Sequence, residues 1–148
     1  KTNENDCEME GVTACYRLLN ITQVNKVRNT WKEIDASLNK IQELLDEADP
    51  NWTVTQTVHW RQKTKVEYNK LVSFSDELLN IAPVPQAAEE VQVENEKIAL
   101  NLLVYLHNLS DYINTGDVKS LETANKVLEW IEMETAEAER LLNIVEQK

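Results

Sequence analysis

Leu121, Ala124, Leu128, Ile131, Thr135, Ala138, Leu142 and Val145 recur at alternating spacings of three and four near the carboxyl end of the chain. That alternation draws one narrow, mostly apolar stripe along about eight turns of helix. In water such a stripe is stable only when it faces other helices. Three earlier stretches repeat the pattern. A first helix is expected over about 15–48, with its seam at Val24, Val27, Trp31, Ile34, Leu38, Ile41, Leu45 and Ala48. Leu18, Leu19 and Ile21 fall slightly out of phase with it, and Asp49-Pro50 ends it, because a residue before proline is pushed out of the α region.

The second helix is expected over about 53–81. Its carboxyl half is amphipathic through Tyr68, Leu71, Val72, Phe74, Leu78 and Leu79. Carried backward from Tyr68, the same seam meets Lys65 and Arg61, so the amino half is weaker. Ala82-Pro83-Val84-Pro85 forms a stiff connector. A third helix, about 86–114, carries Val91, Ile98, Leu102, Tyr105, Leu109 and Tyr112, with Leu103, Leu106 and Ile113 widening the stripe. In the turn Asn114-Thr115-Gly116-Asp117, Gly116 suits a left-handed helix end and Asp117 the amino cap of a fourth helix, about 117–146. Short connections force antiparallel neighbours. The expected fold is all-α: one antiparallel, up-down-up-down four-helix bundle over 15–148, preceded by a tether over 1–14.

Composition agrees with helices. Only two glycines and three prolines occur in 148 residues, too few to supply the tight turns of a β-rich chain. The net charge of −11 opposes binding to nucleic-acid phosphates or to anionic membranes. Its commoner meaning is solubility. The longest apolar run, Leu102 to Leu106, falls far short of the ~20 residues that span a bilayer. No direct membrane insertion of this stretch is expected.

Cys7 and Cys15 are the only cysteines and flank Gly11. A bridge between them would staple the tether and contribute roughly 2–3 kcal/mol in the chain-entropy model. Unrelated free thiols and a metal or redox site are the alternatives. A disulfide implies an oxidising compartment. The sequons at Asn20, Asn51 and Asn108 agree with secretion. The expected location is extracellular or at the cell surface. The sequence starts at Lys1, and any leader or anchor is expected to lie outside it.

A short cysteine-closed loop ahead of a four-helix bundle resembles, in layout, the secreted plant inhibitors of pectin methylesterase and invertase. Cys7 and Cys15 carry that resemblance; the second cysteine pair of that family has no counterpart here. The layout is also similar to helical exported lipoproteins of Gram-positive bacteria, without a diagnostic residue. Neither family is assigned.

No chemistry-bearing motif stands out. Di-metal bundles need Glu-x-x-His pairs on one helix face, but Gln56 precedes His59 and Val104 precedes His107 at that spacing. The glutamates at 89, 90, 94 and 96, and at 129, 132, 134, 137 and 139, read as solvated helix faces. No nucleophile elbow or phosphate loop occurs, so no catalytic residue, metal or cofactor is expected. The segment His59–Lys65 is basic within an acidic chain. It either pairs with the glutamate-rich face of the third or fourth helix or meets an acidic partner, with Trp60 as an aromatic anchor.

Trp31 is expected in the core and Trp52 in a loop or cap; Trp60 and Trp130 fall beside their seams. The leading expectation is a non-enzymatic protein-interaction module acting through Trp60, Arg61, Lys63, Lys65 and Trp130. The alternative is a small-ligand carrier or sensor with a pocket near Tyr68, Tyr105 and Tyr112. Narrow seams can equally zip two copies together, which leaves a homodimer open.

Overall fold

A computed structural model describes the backbone of residues 12–80 and 89–146 and the side chains of residues 24–80 and 89–144. Four helices, α1 (Val12–Ala48), α2 (Val58–Leu79), α3 (Glu89–Thr115) and α4 (Val118–Glu146), are joined by short connections, with a 3-10 turn (Trp52–Gln56) between α1 and α2. No strand occurs among the described residues. Each helix packs beside its neighbours in sequence, and α1 also meets α4, which encloses one core. The α1–α4 seam is the thinnest of the four, while α3 and α4 are the most closely packed pair. No helix among the described residues is long and apolar enough to cross a membrane.

The α1 seam is buried at all eight expected positions. On α4, Ala124, Ile131, Ala138 and Leu142 are buried, while Leu121, Leu128 and Thr135 are half-buried. Val127, off the expected stripe, joins the core. On α3, Leu106 is buried as part of the wider stripe, but Leu103 is exposed, and Asn95 and Ala99 take up interior positions instead.

The second helix differs most. It starts at Val58 rather than near 53, because Asn51 caps a separate 3-10 turn through its side chain and Thr57 adopts an extended conformation. The Thr57 hydroxyl accepts from the Trp60 N–H at 3.3 Å, which begins the true helix. Its inward face reads Trp60, Thr64, Glu67, Leu71, Ser75 and Leu78. The expected seam through Tyr68, Arg61 and Lys65 was therefore one position out of phase, and Val72 and Leu79 are exposed. Half of that inward face is polar, so hydrophobicity alone misplaces it.

Polar side chains on α1 meet it. The Thr30 hydroxyl lies 3.4 Å from a Glu77 oxygen, Ser37 donates to Glu67 Oε1 at 3.0 Å, and the Trp60 indole N–H donates to the Leu44 carbonyl at 2.7 Å. These pairs fall in opposite order along the two helices.

At the other end of α3 the turn composition is realised. Gly116 has φ +74° and its N–H donates to the Tyr112 carbonyl at 2.7 Å; Asp117 Oδ1 accepts from the Lys119 N–H at 3.0 Å. The α1–α2 connection folds over this end. Trp52 donates its indole N–H to the Tyr112 carbonyl, and Gln56 its amide to the Ile113 carbonyl. Two carbonyls in the last turns of α3 thereby gain side-chain partners.

The expected tether stops short of residue 14, since the chain is already helical at Val12. Cys7, the side chains of Cys15 and Asn20, and the expected disulfide lie outside the described residues.

A methyl group at position 116 would stand 3.3 Å from the Trp52 ring on a backbone that L side chains rarely adopt. Gly116→Ala is expected to lower stability by about 1–2 kcal/mol, read as a shift in the urea unfolding midpoint.

Candidate functional site

Trp60, expected beside its seam, is in the core at 4% exposure, with its N–H held by Leu44. It cannot anchor an outside partner without leaving that site, a correction that follows from the shifted phase of α2. Arg61, Lys63 and Lys65 are exposed, but they do not form one patch with it. Arg61 turns back on the 3-10 turn, donating to the Thr55 carbonyl at 3.1 Å and to Gln56 Oε1 at 2.7 Å. Lys63 borders a shallow depression between α1 and α2 together with Lys40, Glu43 and Glu47. Its acidic surroundings therefore come from α1, not from α3 or α4. Trp130 stands on the outside of α4, half of its surface in solvent.

The three tyrosines are spread out. Tyr105 is buried, and Tyr68 and Tyr112 are half-buried against the core. None of them lines the groove described below. Asn51 is exposed at its cap, whereas Asn108 is half-buried within α3 and donates to the Val104 carbonyl. His107 is exposed, 3.5 Å from Asp111. No cluster of three or more His, Cys, Asp or Glu side chains among the described residues is arranged to hold a metal ion. The buried Glu67 carboxylate, hydrogen-bonded by Ser37 and 3.5 Å from Lys70 Nζ, is a link between helices.

The structure instead opens a site at the thin seam between α1 and α4. A groove of about 650 Å³ runs there from Arg28 to Gln42 on one wall and from Leu128 to Glu139 on the other. Its cause is local. Arg28 clasps the two helices at one end, with Nε 3.3 Å from Glu139 Oε1 and a second nitrogen 2.6 Å from Asn143 Oδ1. That register brings Thr135 and Ala136 level with Ile34, and these two side chains are too small to fill the space opposite it. The Thr135 hydroxyl donates to the Ile131 carbonyl of its own helix at 2.7 Å, which leaves its methyl for the groove.

The floor is accordingly apolar: Trp31, Ile34, Leu38, Leu128 and Ile131. The rim is charged with both signs, Arg28 and Lys32 against Asp35, Glu132 and Glu139. An open trough with this lining can bury an apolar face and orient it by charge. No member of the groove was singled out in the sequence as a binding residue. The available signal was the pair Thr135-Ala136, where the α4 stripe loses volume.

No protein-family model, curated protein or solved structure matches the chain.

Two outcomes follow from the burial pattern. Trp60→Ala is expected to cost about 3–5 kcal/mol in a denaturant melt, against about 0.5 kcal/mol or less for the exposed Trp130→Ala. Burial also pushes the Tyr105 phenol well above its ordinary value of 10.0. Its neutral form is the one the fold favours, so this contribution is complete below the unfolded value and is lost as pH climbs past it. Tyr105→Phe should fall less steeply in stability than the parent between about pH 9 and about pH 11, measured by urea melts at each pH.

Proposed function

We propose that the protein is a non-enzymatic, extracytoplasmic interaction module that seats one amphipathic helix of a protein partner in the α1–α4 groove. The observation that carries this reading is the shape and lining of the groove. It follows about four turns of α1, roughly 21 Å at 1.5 Å per residue, and is open along one side. Its floor presents two rows of side chains at helical spacing, the surface into which a further helix packs. A partner helix would lay its apolar stripe on Ile34, Leu38, Leu128 and Ile131, and its flanking charges against the mixed rim.

The up-down-up-down order belongs to the same reading. It is supported by the opposed pairs between α1 and α2, by Arg28 beside Glu139, and by the two-residue turn between α3 and α4. The location outside the cytoplasm rests on Cys7, Cys15 and the three sequons. The earlier expectation of a protein partner is thus kept, but on a different surface.

A photo-cross-linking residue at Asn39 or Ala136, both exposed on the groove, tests this in the cells that make the protein. Adducts to one discrete polypeptide at these positions, and none from Ser73 on α2, are expected. A mass gain of lipid or metabolite size at the groove would instead establish a small-ligand carrier. Equal labelling from Ser73 would remove the groove as the site.

A further inference from the structure

The fold treats two of the sequons in opposite ways. Asn51-Trp52-Thr53 lies in the connection between α1 and α2, with Asn51 and Thr53 both exposed. Helix α1 ends at Ala48, ahead of Pro50, and Asn51 is extended, with φ −96° and ψ 90°. The turn that follows brings the two ends of the sequon together. Thr53 Oγ1 donates to Asn51 Oδ1 at 2.5 Å, and the Thr53 backbone N–H donates to the same oxygen at 3.2 Å. The amide oxygen is thereby occupied, while the amide nitrogen makes no hydrogen bond among the described residues. That nitrogen is the atom to which an N-linked sugar is joined.

Asn108-Leu109-Ser110 lies inside α3 instead. Residues two apart on a helix point about 200° away from each other. The Ser110 hydroxyl therefore cannot meet Asn108, and it lies 3.5 Å from the Asn114 side-chain nitrogen. The Asn108 nitrogen is itself engaged, donating to the Val104 carbonyl at 2.9 Å. Asn108 is half-buried, and Leu109 between the two is in the core. A sugar on Asn108 would have to be attached before α3 forms and would then crowd the helix surface.

We propose that Asn51 carries an N-linked glycan and that Asn108 does not. The inference rests on the extracytoplasmic location proposed above, because the donor is an oligosaccharide held on a lipid pyrophosphate outside the cytoplasm. In the transfer a bond forms between Asn51 Nδ2 and the anomeric carbon of the sugar. The bond from that carbon to the pyrophosphate oxygen breaks, the lipid pyrophosphate leaves with the electron pair, and the amide gives up one proton. The product keeps the Asn51 oxygen as the acceptor of both Thr53 bonds, so the turn and its glycan are compatible. Asn51 is not among the residues that line the α1–α4 groove.

The test is peptide mass mapping of protein recovered from the cells that make it, after treatment with a peptide N-glycosidase in heavy-oxygen water. Asn51 is expected to appear as heavy-oxygen aspartate and Asn108 as unlabelled asparagine. Thr53→Ala should abolish the label at position 51, and Thr53→Ser, which retains the hydroxyl, should keep it. An unlabelled Asn51 would overturn the proposal. In protein collected outside the cytoplasm that result leaves the location standing; in protein found only within the cytoplasm it removes the location as well. Label at Asn108, or label at Asn51 that survives Thr53→Ala, would also overturn it.

Discussion

One hydrogen bond crosses the middle of the bundle, from the Trp31 indole N–H on α1 to the Asn95 side-chain oxygen on α3, at 2.9 Å and buried at both ends. Apolar contacts tolerate sliding; a buried donor and acceptor do not. Leaving either unpaired costs about 1–3 kcal/mol, so a slip of α1 past α3 is penalised at once. The link joins helices that are not neighbours around the ring, and it thereby sets the height of the whole assembly. The Ser37–Glu67 and Trp60–Leu44 bonds do the same for α1 and α2, and Asn101–Glu134 does it for α3 and α4.

Between α1 and α4 the corresponding device is Arg28, and it sits at one end of the seam. Below it, small side chains at 135 and 136 leave the helices without interlocking bulk. The groove is thus a consequence of how the polar links are distributed. The α1–α2 seam is pinned by buried hydrogen bonds and the α3–α4 seam by a part-buried one, whereas at the α1–α4 seam the Arg28–Glu139 ion pair is partly exposed and of modest strength. On the function proposed here, an added helix would complete the packing at the least constrained seam without disturbing the others.

The groove is concave, with a floor that belongs to the core and a rim of mixed charge, and a concave trough of this kind suits a single inserted element.

The α1 seam was legible residue by residue because its inward positions are apolar and strictly periodic. The Gly116 and Asp117 helix ends were legible because only a few residue types satisfy those backbone demands. The face of α2 was not, since Thr64, Glu67 and Ser75 face inward: Thr64 bonds the Trp60 carbonyl of its own helix, Glu67 meets Ser37 of α1, and the buried Ser75 hydroxyl has no partner among the described residues. Trp60 accordingly passed for a surface anchor. The groove was also hidden, because it arises from the relative height of α1 and α4 and from volume missing opposite Ile34. Periodicity and turn chemistry along one chain determined that there would be four amphipathic helices and, to within two residues, where they end. Which polar groups are buried, and where packing leaves a gap, depends on which side chains come to face each other across helices, and only the tertiary structure decided that.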